Sequence, residues 1–253
     1  MSVPSDKFWP AEIIERRDFS HDLWSIRIKA EGKLNFQPGQ YATFGVVEDG
    51  KVIERPYSIV SSPHEETLEF FVELVPDGDL TPHLHKRKTG APLVMRKVAK
   101  GRFTLDLKSG RKKHFLLATV TGLAPFTSMA RTLHRDWKEG RLPEGLHLVC
   151  IQGASRSWEL GYREEMMSIA REAPWLTYIP TISRPWEDKD WKGEVGRVED
   201  LMRKYSDSLG LDADNAVAYL CGHPEMIEKG KGILQRRGFA KEWLREEQYW
   251  VQK

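Results

Sequence analysis

Apolar and polar positions alternate in short runs from Ala11 to about Lys108, as in Leu23-Trp24-Ser25-Ile26-Arg27-Ile28, Tyr41-Ala42-Thr43-Phe44 and Leu68 through Val75. A period near two predicts half-buried strands. Gly32, Pro38-Gly39, Asp49-Gly50 and Asp77-Gly78 separate them at the short spacing of a small antiparallel barrel. A short helix over Pro82 to Lys88 is the expected exception. From His114 the pattern changes to continuous apolar runs, His114 to Thr121, Leu146 to Gln152, Leu176 to Ile182 and Asn215 to Cys221, which read as buried strands. Helices are predicted between them. Phe126, Met129, Ala130, Leu133 and Trp137 recur at three- and four-residue spacings, the stripe of a helix lying on a sheet. This alternation predicts a parallel sheet with right-handed crossovers and a ligand crevice at the carboxyl ends of its strands. The fold class is thus an N-terminal antiparallel β-barrel followed by a parallel α/β domain. The polar segment Leu107 to Lys113 divides residues 1–110 from 111–253.

A length of 253 residues accommodates two such domains. No run approaches the roughly 18 apolar residues of a membrane helix, and Met1 to Pro10 lacks the apolar centre of a signal peptide, so a cytoplasmic protein is expected. Cys150 and Cys221, each within an apolar run, suit reduced, buried thiols. Two thiols are too few for an iron–sulfur cluster, so any electrons would travel on an organic cofactor. A net charge of +2 gives no case for nucleic acid. The clusters Lys86-Arg87-Lys88, Arg96-Lys97 with Lys100, and Arg111-Lys112-Lys113 could be solvated faces or could steer an acidic protein partner. His83 and His85, two apart in the expected helix, do not share a face, and no metal site is expected.

Four constellations carry candidate chemistry. Arg55-Pro56-Tyr57-Ser58 ends a barrel strand and offers a guanidinium fork for phosphate, a flat ring and a hydroxyl. A core tyrosine beside an exposed arginine explains it equally well. Leu117 to Phe126 is a strand turning sharply into a helix near Pro125, where backbone amides face an anion. Cys221-Gly222-His223-Pro224 is a second such turn, explicable as a buried thiol, a turn glycine and a helix-starting proline. Tyr249-Trp250, near the C-terminus, places two large aromatics where chains usually fray, so a flat group to cover is expected.

In order and spacing these four resemble the ferredoxin–NADP⁺ reductase family, compact bacterial type, over essentially the whole chain. The resemblance implies an FAD-binding barrel and an NADP-binding α/β domain. It assigns Arg55 to the FAD pyrophosphate with Pro56 beside it, Tyr57 to the isoalloxazine and Ser58 to the flavin's polar edge. Phe71, Gly78, Leu80 and Thr81 belong to the segment that holds the rest of FAD, with the amides near Gly78 to Thr81 meeting the pyrophosphate and Thr81 adding a hydroxyl. Thr121 approaches the flavin, and Gly122 to Pro125, with Gly222, form the floor for the nicotinamide nucleotide. Cys221 sits beside the nicotinamide without acting as a nucleophile. Ser183, Arg184 and Arg197 match the family's contacts to a 2′-phosphate, which favours NADPH, and Arg156, one place off the expected position, is a further candidate. Tyr249 lies over the isoalloxazine opposite Tyr57 and has to move for hydride transfer, while Trp250 covers the adenine.

One position departs from the family: Val120-Thr121-Gly122 stands where a Gly-Thr-Gly is usual. The valine adds bulk and costs close backbone approach, so slower or differently angled nicotinamide entry is expected. The implied reaction moves a hydride between NADP(H) and FAD and single electrons to or from ferredoxin or flavodoxin, an acidic carrier, and a monomer is expected. The alternatives are the reductase component of an oxygenase, which the lack of further cysteines disfavours as a fused cluster protein, and a non-catalytic flavin-binding regulatory subunit, which Cys221, Arg184 and Arg197 disfavour.

Overall fold

The computed structural model describes residues 6–249. Six antiparallel strands form the N-terminal sheet: β1 (Phe8–Asp18), β2 (Leu23–Ala30), β3 (Tyr41–Glu48), β4 (Lys51–Ser58), β5 (Leu68–Glu73) and β6 (Pro92–Arg96), in the order β4-β3-β6-β1-β2-β5. An antiparallel bridge between Ile59 and Phe70 joins the two edges, so the sheet closes on itself. Trp24, Ile26, Ile28, Phe44, Val46, Phe70 and Val72 alternate inward and fill the barrel. Helix α1 (Thr81–His85) is shorter than the seven-residue span expected, since the chain turns back where the Ala91 N–H meets the Lys88 carbonyl.

The C-terminal sheet is built from β7 (Lys113–Thr119), β8 (His147–Ala154), β9 (Leu176–Ile182), β10 (Glu194–Val195), β11 (Ala216–Gly222) and β12 (Leu244–Gln248), all parallel, in the order β10-β9-β8-β7-β11-β12. Its central strands are buried on both faces, which is why they read as unbroken apolar runs. Helices α2 (Ala124–Lys138) and α3 (Arg163–Glu172) cover one face through Phe126, Met129, Met166 and Ile169. Helices α4 (Val198–Ser208) and α5 (Pro224–Arg236) cover the other through Leu201, Met202, Ile227 and Leu234. The strand order reverses between β7 and β11, and that switch point fixes where a crevice opens.

The two sheets share an interface. Ser128 donates to the Ser61 carbonyl (2.7 Å), Tyr162 to Glu69 (2.9 Å), and Arg131 reaches Glu69 (2.7 Å) on the barrel and Glu165 (2.6 Å) on α3. The rings of Phe71 and Tyr162 meet edge to face at 5.1 Å.

A second tie runs through Asp106, whose N–H donates to the Tyr219 hydroxyl (2.8 Å) and whose carboxylate holds Arg245 (2.6 Å). His114, fully buried, places Nδ1 3.2 Å from the same hydroxyl. Burial lowers the His114 pKa from 6.5 to about 4, the Arg245 charge acting the same way and Asp106 opposing both. A histidine depressed in the folded state binds its proton first in the unfolded chain, so stability falls as pH drops from 6.5 toward 4. The expected loss is about 2 kcal/mol at pH 5 relative to pH 8. Urea titrations at the two pH values check it, and His114→Asn removes that part of the dependence.

Candidate functional site

Strand β7 ends at Thr119 and enters a 3₁₀ turn, Val120–Leu123, that leads directly into α2. Across the switch point β11 ends at Cys221-Gly222. The Thr119 hydroxyl accepts the His223 N–H at 2.8 Å. Gly222 has φ +125°, and a Cβ there would lie 2.2 Å from Thr119 Oγ1. A Cβ on Gly122 would lie 2.2 Å from the Cys221 carbonyl oxygen. The two turns are therefore locked against each other by backbone contacts that only glycine allows.

The tail enters this crevice as β12. Glu247 pairs in register with Cys221, and Gln248 with Gly222. The Tyr249 N–H then donates to the Gly222 carbonyl (3.3 Å), and its hydroxyl donates to the Thr121 carbonyl at 3.1 Å and lies 3.4 Å from Ser58 Oγ. Ser58 in turn donates to Glu247 Oε1 at 2.6 Å. Four segments far apart in sequence thus bring Ser58, Thr121, Cys221, Gly222, Glu247 and Tyr249 to one place.

The electrostatics of this cluster follow from its burial. Burial raises the Glu247 pKa, with the Ser58 donation offsetting part of the effect. Burial also pushes the Cys221 thiol well up, and the Glu247 charge adds to it. A thiol held protonated contacts and orients but does not attack. The Tyr249 phenol is pushed up by burial and by Cys221 and Glu247, so it is a neutral donor.

On the barrel side Arg55 is half exposed, donates to the Glu54 carbonyl (2.8 Å) and pairs with Asp79 in the turn before α1. Pro56 is exposed beside it. The Tyr57 ring lies 4.8 Å from the Phe44 ring at a tilt of 31°, so Phe44 supports it from the barrel core, and burial raises its phenol pKa. Within the turn the Gly78 N–H donates to the Val75 carbonyl (2.9 Å). The Thr81 hydroxyl both accepts from and donates to the Val75 backbone (2.9 and 3.0 Å), so it closes the turn rather than standing free for a phosphate. Phe71 and Leu80 are core residues: Phe71 is 3% exposed against Tyr162 and Phe19, and Leu80 is 1% exposed in the barrel.

A cationic group lies at the carboxyl ends of β8 and β9, where the Ser183 and Arg184 N–H groups donate to the Ala154 and Ser155 carbonyls (both 3.0 Å). Glu187 binds Arg156 (Nε to Oε2, 2.5 Å) and lies 3.6 Å from Arg184, drawing the two guanidiniums together. Arg197, at the start of α4, turns instead to Glu225 (3.6 Å) and Glu199 (4.0 Å). Trp250 lies outside the described residues. Among the described residues no group of three His, Cys, Asp or Glu side chains could hold a metal ion, and no helix is long and apolar enough to cross a membrane.

Sequence reasoning missed Glu247 and Thr119. A usable signal existed for the first: Glu247 and Tyr249 stand two apart in an extended segment and so share a face.

Two family descriptions match the chain, an oxidoreductase FAD-binding domain over residues 10–105 and an oxidoreductase NAD-binding domain over residues 116–231. A "Ferredoxin--NADP reductase A" of Sorangium cellulosum is 32% identical over 241 residues, covering 90% of this chain and 82% of the relative. A "Ferredoxin--NADP reductase" of Pseudomonas aeruginosa is 30% identical over 243 residues, covering 89% and 88%. In fold, the chain is similar to a ferredoxin NADP+ reductase from Neisseria gonorrhoeae solved with bound FAD and NADP, with a TM-score of 0.84, 22% identity, and 96% and 99% of the two chains covered.

Proposed function

Because the chain belongs to the ferredoxin–NADP reductase family and is an FAD-dependent NADP(H) oxidoreductase, we propose that it exchanges electrons with an acidic ferredoxin or flavodoxin and that the cluster around Ser58 and Cys221 is its reaction centre. The observation that carries the reading is the convergence of Ser58 from the barrel, Thr121 and Cys221 from the switch point, and Glu247 and Tyr249 from the tail. Bound FAD supplies the chemistry, taking up a hydride from NADPH and giving up electrons singly.

The side chains fit both groups. Arg55 offers an exposed guanidinium with one carboxylate partner, next to the turn at Gly78, and Tyr57 offers a ring already backed by Phe44. Ser183, Arg156 and Arg184 offer donors to a 2′-phosphate at the carboxyl ends of β8 and β9. In this reading Glu247 fixes the Ser58 hydroxyl, the neutral Cys221 thiol forms one wall of the nicotinamide site, and Tyr249 occupies the face that the nicotinamide must use. The division at residues 110 and 111, a cytoplasmic location and a monomeric state complete the proposal.

Anaerobic titration of the purified flavoprotein with NADPH, followed by its visible spectrum, tests it. Bleaching by NADPH far more readily than by NADH, then reoxidation by added ferredoxin or flavodoxin, is the expected result. A protein that takes up no FAD, or one that reduces neither carrier, would overturn the reading. Ser58→Ala is expected to slow bleaching by about tenfold, the share of one lost hydrogen bond of about 1.4 kcal/mol. Stopped-flow rates check that value.

A further inference from the structure

Val120 opens the 3₁₀ turn with φ +44°, in the left-handed region that a β-branched residue rarely adopts. Such a conformation persists only where its surroundings over-determine it. Here they do: Thr119 is bonded to the His223 N–H, Gly222 is packed on Thr119, and Gly122 on the Cys221 carbonyl, so the backbone on both sides of Val120 is pinned. Glycine would occupy the same backbone without strain. The isopropyl group is only partly buried, against the same apolar cluster on which Tyr249 packs. Val120 also immediately precedes Thr121, whose carbonyl holds the Tyr249 hydroxyl.

Resting on the reading of this crevice as the nicotinamide site, we infer that Val120 is a positioning residue that limits how closely the nicotinamide ring can enter. Its side chain is stiff about χ1 and stands on an immobile backbone, so unlike a longer side chain it cannot fold away. The side chains proposed for the adenine end, Arg156 and Arg184, follow β8 and β9, one and two strands away from β7. The residue therefore sets the affinity for the nicotinamide half alone.

Calorimetric binding of NADP⁺ and of 2′-AMP to the oxidised holoprotein tests this. Val120→Gly is expected to bind NADP⁺ about tenfold more tightly, the scale for a few atoms removed from a pocket wall, and to bind 2′-AMP as before. Val120→Ala keeps a Cβ in the left-handed region while removing bulk, so it is expected to tighten NADP⁺ less and to melt below Val120→Gly. NADP⁺ affinity unchanged in both variants would overturn the inference, as would equal tightening of NADP⁺ and 2′-AMP. Wild-type protein that binds neither nucleotide would fail the site assignment itself, and the inference with it.

Discussion

Replacing Arg131 by methionine is expected to lower the unfolding free energy by about 3 kcal/mol, the scale for removing one partner from a largely buried ion pair. The guanidinium is 16% exposed and bridges Glu69, 9% exposed, on the barrel to Glu165 on α3. Burial works against its charge, yet the two carboxylates hold it firmly protonated. Methionine preserves the packing of the stem and deletes the charge, leaving Glu69 with Arg27 and the Tyr162 hydroxyl as its remaining partners. The shift in urea midpoint measures the loss. Adding Glu165→Gln to Arg131→Met is expected to recover part of it, since Glu165, which Arg131 binds through both oxygens, is the carboxylate that loses its cation. A loss below about 1 kcal/mol would class the contact with exposed salt bridges and leave the domain interface to its apolar and hydroxyl contacts.

The elements of this fold were legible because their causes are local. Both-face burial makes β7, β8 and β11 continuous apolar runs, and the stripe on α2 is the print of a helix on a sheet. What the pattern did not carry is set by distant partners. Ser58 and Glu247 are 189 residues apart, and no local period marks a carboxylate that meets its hydroxyl only after both sheets have formed. Phe71 reads as one more strand residue beside a cofactor segment, while its actual neighbour, Tyr162, comes from the other domain. The basic clusters looked like surface, yet several of their members are engaged within the fold. Arg87 is bonded to Glu48 and Arg96 to Glu54. Arg111 reaches the Ala216 carbonyl and lies over the Trp243 ring, and Lys113 reaches the Leu209 and Gly210 carbonyls. Long cationic side chains can leave solvent at their tips as readily as enter it, and sequence alone does not say which. Val120 was visible as a departure; that it sits at positive φ was not.

Replacing Arg156 and Arg184 together by alanine is expected to lower kcat/KM for NADPH by about a thousandfold, two charge-assisted contacts being lost from one phosphate. NADH, which lacks that phosphate, is expected to be used as before. The geometry makes the pair act jointly: Glu187 binds Arg156 and lies beside Arg184, so a 2′-phosphate carrying nearly two charges competes with this shared carboxylate for both guanidiniums, and with Glu159 (2.9 Å) for Arg156 as well. Glu187→Gln removes the carboxylate that the two arginines share and is therefore expected to change NADPH use in the opposite direction, lowering its KM while sparing NADH. Steady-state rates with each nucleotide for the double variant and for Glu187→Gln check both signs. A NADPH to NADH ratio unchanged by the double replacement would shift discrimination to Arg197, whose guanidinium lies near Glu225 of α5 and Glu199 of α4.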